Sequence, residues 1–422
     1  MEKTDQAVLT LIRAALWSEP LELSPDLDWD TVEQELRLQS VMGVVAGAHL
    51  DGLPDAVRDR WDYAALRCGA HFYKLLHAQD ELLGLLQENG IPAVILKGTA
   101  AAVYYPDPEM RTMGDVDILV PMGQTETAAS LLSANGYVRE ESLYEPHISF
   151  DKDGIRFELH RYLGNLDSAS KMEFLNCALQ EGIRRKIDQV CAGSVSPMLP
   201  PLENGLVLLD HMGKHIRQNG IGVRHVMDWM MYAYHCLTDD YWHGQFAPAA
   251  RVLGLETFAI TITQMCRIYL GLPDSITWCG GADAALCRRL LEAILGQGNF
   301  GCKHMQKQGV TSVKIRSLFY RPKNFWGRLK LSCKLLQSSG LAHWQAAERY
   351  KFLRSFAWIY GGCRYLFMKL RREKTISLRS VWESTHANRQ LFEALDILPA
   401  STVVRIENNH FAEQAPGRYE SR

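Results

Sequence analysis

In the run Met113-Gly114-Asp115-Val116-Asp117-Ile118-Leu119-Val120, two carboxylates are separated by a single apolar residue. Side chains alternate along a strand, so Asp115 and Asp117 share one face while Val116, Ile118 and Val120 take the other. Two carboxylates this close repel, and a fold keeps them together where a cation sits between them. The pair therefore reads as a Mg²⁺ site. Further on, Ile155, Phe157 and Leu159 alternate with Arg156, Glu158 and His160, which puts a third carboxylate and an imidazole on one polar strand face able to meet the aspartates. Three such acids can hold two divalent ions about 3.5 to 4 Å apart, the arrangement of a two-metal phosphoryl-transfer site. Upstream, Gly98 would let backbone amides approach phosphate oxygens at a helix start, and the Thr99 hydroxyl would add a donor. Lys97 and Arg111 supply charge for a triphosphate or, equally, for buried carboxylates.

These groups need particular elements beneath them. Residues 5 to 90 read as helical, the last helix carrying Leu75, Leu76, Leu82, Leu83 and Leu86 on one face and stopping at Asn89-Gly90. Ala93-Val94-Ile95-Leu96 is an apolar run suited to a buried strand, and the small residues from Ala100 to Tyr105 begin a helix that Pro106-Asp107-Pro108 breaks. The Asp115–Val120 strand follows, then a helix over Thr125–Ala134. His147–Asp151 and Ile155–His160 form a hairpin across Lys152-Asp153-Gly154. After Pro200-Pro201 helical patterns run to about residue 395. The expected domains are a helical region over 1–88, a small mixed-sheet core over 89–200, a large helical region over 201–400 and a disordered polar tail over 401–422. The fold class is α+β.

Leu96-Lys97-Gly98, Tyr105-Pro106, Arg111, Gly114-Asp115-Val116-Asp117-Ile118-Leu119-Val120 and Phe157-Glu158-Leu159-His160 together resemble the uncharacterised bacterial nucleotidyltransferase family of the DNA polymerase beta-like superfamily. The resemblance spans residues 65 to 235, including His211, His215 and Arg224-x-x-x-Asp228. It implies a polymerase beta-like core and metal-dependent transfer of a nucleoside monophosphate from a nucleoside triphosphate, ATP among the candidates, to an acceptor. Asp115 and Asp117 would be ligands of both metals, and Glu158 the third acid. The ions would be Mg²⁺, with Mn²⁺ as the alternative. Lys97, Gly98, Thr99, Arg111 and His160 would stand beside the nucleotide. The chain departs from the superfamily in Thr99, where Ser or Gly is usual, in Glu158, where Asp is common, and in a slightly longer spacing from Gly98 to Asp115.

Simpler roles stand beside these. Glu158 could pair with Arg156 or Arg161, His160 could make a structural hydrogen bond, and His211 and His215 at i, i+4 read as packing. Arg224 and Asp228 read as an intrahelical ion pair. Two other functions stay open: a catalytically silent nucleotide-binding or regulatory module, and a D-x-D glycosyltransferase, which would need a Rossmann-like half before Asp115.

A chain of 422 residues with 47% hydrophobic and 22% charged residues has ample material for a core, and its net charge of −2 gives no bulk reason for a nucleic-acid partner. Nine Lys and Arg between residues 303 and 334, with no acid among them and Phe319, Tyr320, Phe325 and Trp326 interleaved, could contact an anionic partner or membrane surface. The ten scattered cysteines suit a reducing cytoplasm and argue against structural zinc. No apolar run is long enough to span a bilayer, so the expected location is cytoplasmic, with peripheral membrane contact left open. The acceptor, the base preference and the oligomeric state are not encoded in any motif.

Overall fold

The computed structural model describes residues 2–140, 147–163, 168–218, 220–303, 351–370 and 389–398, with scattered positions between 333 and 346. The basic stretch beyond Lys303 and the tail over 401–422 lie outside the described residues; Lys303 itself pairs with Glu35 at 2.6 Å. The architecture is α+β, a seven-stranded mixed sheet with helical regions on both sides of it in the chain.

Helices α1 (Lys3–Trp17), α2 (Trp29–Leu38) and α3 (Met42–Gly47) lead into α4 (Asp55–Glu88). Asp28 starts α2 by accepting from the amides of Asp30 and Thr31. At 34 residues α4 is about 51 Å long. Its inward residues Val57, Trp61, Ala65, Gly69, Phe72, Leu75, Gln79, Leu82 and Leu86 recur at three- and four-residue steps, the signature of one buried stripe. Trp61 and Ala65 join the helical core, whereas Phe72 to Leu86 join the core under the sheet. The helix stops at Asn89 and Gly90, the latter at φ +69°.

The strands are β1 (Val94–Leu96), β2 (Val116–Leu119), β3 (Val138–Arg139), β4 (His147–Lys152), β5 (Ile155–His160), β6 (Ile187–Cys191) and β7 (Ser194–Met198), ordered β3-β4-β5-β2-β1-β7-β6. The hairpin β4–β5 turns at Asp153 and Gly154, both at positive φ as a two-residue primed turn requires. The hairpin β6–β7 is not anticipated from sequence. It turns at Ala192-Gly193 and carries Pro197 in the sheet's edge pair.

Alternation fixes which residues meet. Ile95, Val116, Ile118, Phe157 and Leu159 pack against the second half of α4 and against α6 (Thr125–Ala134). Val94, Leu96 and Leu119 point the other way, into one core shared by α7 (Ala169–Arg184), α8 (Pro201–Gln218), α9 (Val223–Cys236), α10 (Asp239–Tyr241), α11 (Ala247–Leu253), α12 (Glu256–Leu270) and α13 (Ala284–Gln297). The N-terminal helices belong to that core too: the Trp17 indole donates to the Leu270 carbonyl at 2.8 Å, and its ring meets Tyr234 edge-on. A further helix, α14 (Ala357–Leu370), lies later in the chain. No described helix is long and apolar enough to cross a membrane.

Candidate functional site

The face of the sheet that carries Leu119 also carries Asp117, so the carboxylates open toward α8 and α9 rather than toward α4. Strands β2 and β5 are parallel and in a register that sets Asp117 beside Glu158. Asp115, Asp117 and Glu158 each offer an oxygen, and the three lie within 4.8 Å of one another. They line a cavity of about 420 Å³ whose opposite wall comes from α8 and the start of α9.

One buried cation serves this cluster directly. Lys97 Nζ lies 2.9 Å from Asp117 Oδ1, and His160 Nε2 lies 2.9 Å from the same oxygen. Burial disfavours ionisation of Asp117, yet Lys97 and His160 hold its carboxyl below the ordinary range. The other two acids move the opposite way. Burial and the charge of Asp117 raise Asp115, and the same two causes push Glu158 up to about 7. Burial opposes the charge of Lys97, but Asp117 and Asp115 keep its ammonium more basic than usual. His160 is shifted down by burial, against the opposing pull of Asp117.

The Lys97 backbone is bent sharply, at φ 52° and ψ −129°, followed by Gly98 at φ +39° as the first residue of α5 (Gly98–Ala102). A lysine in this glycine-favouring region carries strain of about 1–3 kcal/mol, and the turn it makes lets the ammonium reach Asp117. Gly98 borders the cavity, as expected of a phosphate-side turn. Thr99 does not: it is fully buried, its hydroxyl donates to Gln79 Oε1 at 2.9 Å and accepts from Ser196 at 3.0 Å. The donor expected at the phosphate is instead part of the core behind the turn.

Arg111 is likewise committed elsewhere. Its guanidinium donates to both oxygens of Asp228 on α9, at 2.7 and 2.8 Å, and the Tyr105 hydroxyl donates to the same carboxylate at 2.7 Å. Asp228 is therefore not the intrahelical partner of Arg224, whose Nη1 donates to the Thr112 carbonyl at 3.0 Å. The surface pairs considered for Glu158 are also absent among the described contacts: Arg156 bonds Glu140 at 2.7 Å, and Arg161 bonds Glu126. Glu158 instead faces His147 and His160, at 3.6 and 3.7 Å.

Several cavity residues escaped sequence reading. Asp210 and Lys214 on α8, His147 on β4 and His225 on α9 all border the cavity, beside His211 and His215. Burial keeps His211 and His225 well below ordinary imidazole values and takes His215 down to about 3, with neighbouring cations adding to the effect. Burial and Lys97 also depress the Lys214 ammonium, and burial raises Asp210. The signal was present in the i, i+4 pairs Asp210/Lys214 and His211/His215, which stack titratable groups on one side of a helix. All ten cysteines are unpaired, and no cysteine joins a candidate metal-ligand group among the described residues.

A comparison with curated proteins finds no match. A family model described as uncharacterised nucleotidyltransferase matches residues 25–271, which takes in α2 through the end of α12 and every residue of the carboxylate cluster. The chain belongs to this uncharacterised nucleotidyltransferase family.

Proposed function

We propose that the chain transfers a nucleoside monophosphate from a nucleoside triphosphate to an acceptor with release of pyrophosphate, using divalent cations held by Asp115, Asp117 and Glu158. The observation that carries this reading is the trio itself, three carboxylates within 4.8 Å of one another with a lysine bonded to the buried central one, Asp117. The donor set fits the ion: all-oxygen ligands suit Mg²⁺, with Mn²⁺ as the alternative, and small side-chain adjustments bring oxygens so spaced to bonds of about 2.1 Å. Bound there, the cations would polarise the α-phosphate and neutralise charge on the departing pyrophosphate.

The chain's own groups supply positioning. The Lys97-Gly98 turn offers an ammonium and close backbone approach on the phosphate side. His160 orients Asp117 through its 2.9 Å hydrogen bond. Lys214 stands on the facing wall, within electrostatic reach of Glu158 and Asp117. An acceptor oxygen attacks the α-phosphorus, the bond to the β-phosphate oxygen breaks and pyrophosphate leaves; the rate comes from alignment and charge neutralisation. The unpaired thiols support a cytoplasmic setting. Among the described residues helices and the strand β1 precede Asp115, which does not favour the D-x-D glycosyltransferase alternative.

The test is calorimetric titration with each nucleoside triphosphate, with and without Mg²⁺, followed by product analysis. Asp117→Ala should abolish transfer and weaken Mg²⁺-dependent nucleotide binding by about a hundredfold or more while the protein still folds. Unchanged binding in that variant would sink the assignment, and metal-dependent binding without any product would favour a silent regulatory module.

A further inference from the structure

Glu158 belongs to two ligand groups. Besides the all-oxygen trio, His147, Glu158 and His160 each place one ligand atom within 4.8 Å of the others. The hairpin dictates this juxtaposition. His147 and His160 are directly paired across β4 and β5, and Glu158 lies two residues before His160, so all three side chains leave the same face. His147 Nε2 stands 3.6 Å from Glu158 Oε1, and His160 Nε2 stands 3.7 Å from Glu158 Oε2. A tetrahedral site with bonds of about 2.1 Å has edges of about 3.4 Å, so small side-chain adjustments would enclose a cation.

We propose that His147, Glu158 and His160 form a divalent transition-metal site, of the Zn²⁺ or Mn²⁺ class, beside the oxygen-only site of Asp115 and Asp117. Two imidazoles and one carboxylate suit such ions, whereas Mg²⁺ favours oxygen donors throughout. Glu158 then serves both positions as a shared carboxylate, which accounts for its place between the two groups. His160 gives up its hydrogen bond to Asp117 when its Nε2 lone pair binds metal, and its imidazole proton resides on Nδ1. That nitrogen is buried in the cavity wall and has no hydrogen-bond partner among the described residues. Within the nucleotidyltransferase reading, on which only the sharing of Glu158 depends, the two cation positions are chemically unequal.

Chelator-treated protein titrated calorimetrically with Zn²⁺, and separately with Mg²⁺ plus a nucleoside triphosphate, tests this. The wild type should bind Zn²⁺ far more tightly than Mg²⁺. His147→Ala should lose about a hundredfold of the Zn²⁺ affinity at unchanged melting temperature, and His147→Cys should recover it by restoring a ligand. Asp115→Asn should retain Zn²⁺ binding while losing Mg²⁺-dependent nucleotide binding. Zn²⁺ affinity indifferent to His147, or lost equally in the Ala and Cys variants, overturns the site. Zn²⁺ binding that needs His147 in a protein that binds no nucleotide upholds the site and overturns the transfer reaction instead.

Discussion

Two charge clusters border the same cavity and are built on opposite plans. At Arg111 and Asp228 the books close: a bidentate guanidinium and the Tyr105 hydroxyl satisfy one carboxylate, and although burial disfavours its charge, Arg111 holds Asp228 below its usual range. At Asp115, Asp117 and Glu158 three carboxylates share one lysine, which is bonded to Asp117, and the other two acids are pushed upward. A cluster whose charges are matched by its own chain is a fastening, here joining the segment before β2 to α9. A cluster left short of positive charge, in a cavity and on rigid strands, is arranged for something that arrives from outside.

The contrast can be broken at its strong end first. Asp228→Ala strands a buried guanidinium and should cost about 3–5 kcal/mol of stability by chemical denaturation. A loss below about 1 kcal/mol would show the pair to be dispensable and remove the distinction. The second test uses pH. Glu158, raised to about 7, holds a proton in the folded protein over a range where the unfolded chain has released it. Metal-free stability should therefore fall as pH rises from about 4.3 to 7, and Mg²⁺ affinity should rise over the approach to pH 7 by up to about tenfold per unit. Glu158→Gln should flatten both trends; slopes that persist in it would assign the titration to another group. The smallest effect is expected behind the turn. Thr99→Val removes a hydroxyl that serves Gln79 and Ser196, and should cost about 1–3 kcal/mol with nucleotide binding unchanged. Weaker nucleotide binding at full stability would return Thr99 to the phosphate side.

What could be read from sequence follows the range of the interactions involved. The aspartate pair, the β4–β5 hairpin with its Asp153-Gly154 turn, the helix from Thr125 and the stop of α4 are all set by neighbours within a few residues, and each is legible as period or turn chemistry. The hairpin at Ala192-Gly193 was hidden because Ile187–Gln189 are largely exposed and Pro197 argues locally against a strand, although β7 carries it one strand in from the sheet edge. Asp228 was assigned to Arg224 by helical spacing. A surface i, i+4 pair contributes only about 0.3–0.5 kcal/mol, and a buried bidentate partner 117 residues away in sequence displaces it. The wall formed by Asp210, Lys214 and His225 depends on how α8 and α9 lie over the sheet, which no local pattern specifies.

Helix α4 carries a mechanical consequence. Its first half is packed into the core that supports α8 and α9, and its second half into the sheet that supports the carboxylates, with no proline anywhere along it. A hinge requires a short segment that can absorb a change of backbone angle, and an uninterrupted helix has none. Swinging one wall of the cavity away from the other would mean snapping this rod or peeling Phe72 to Leu86 off the sheet. Ligands must therefore enter a vessel of fixed width, and admission becomes a matter of side chains stepping aside.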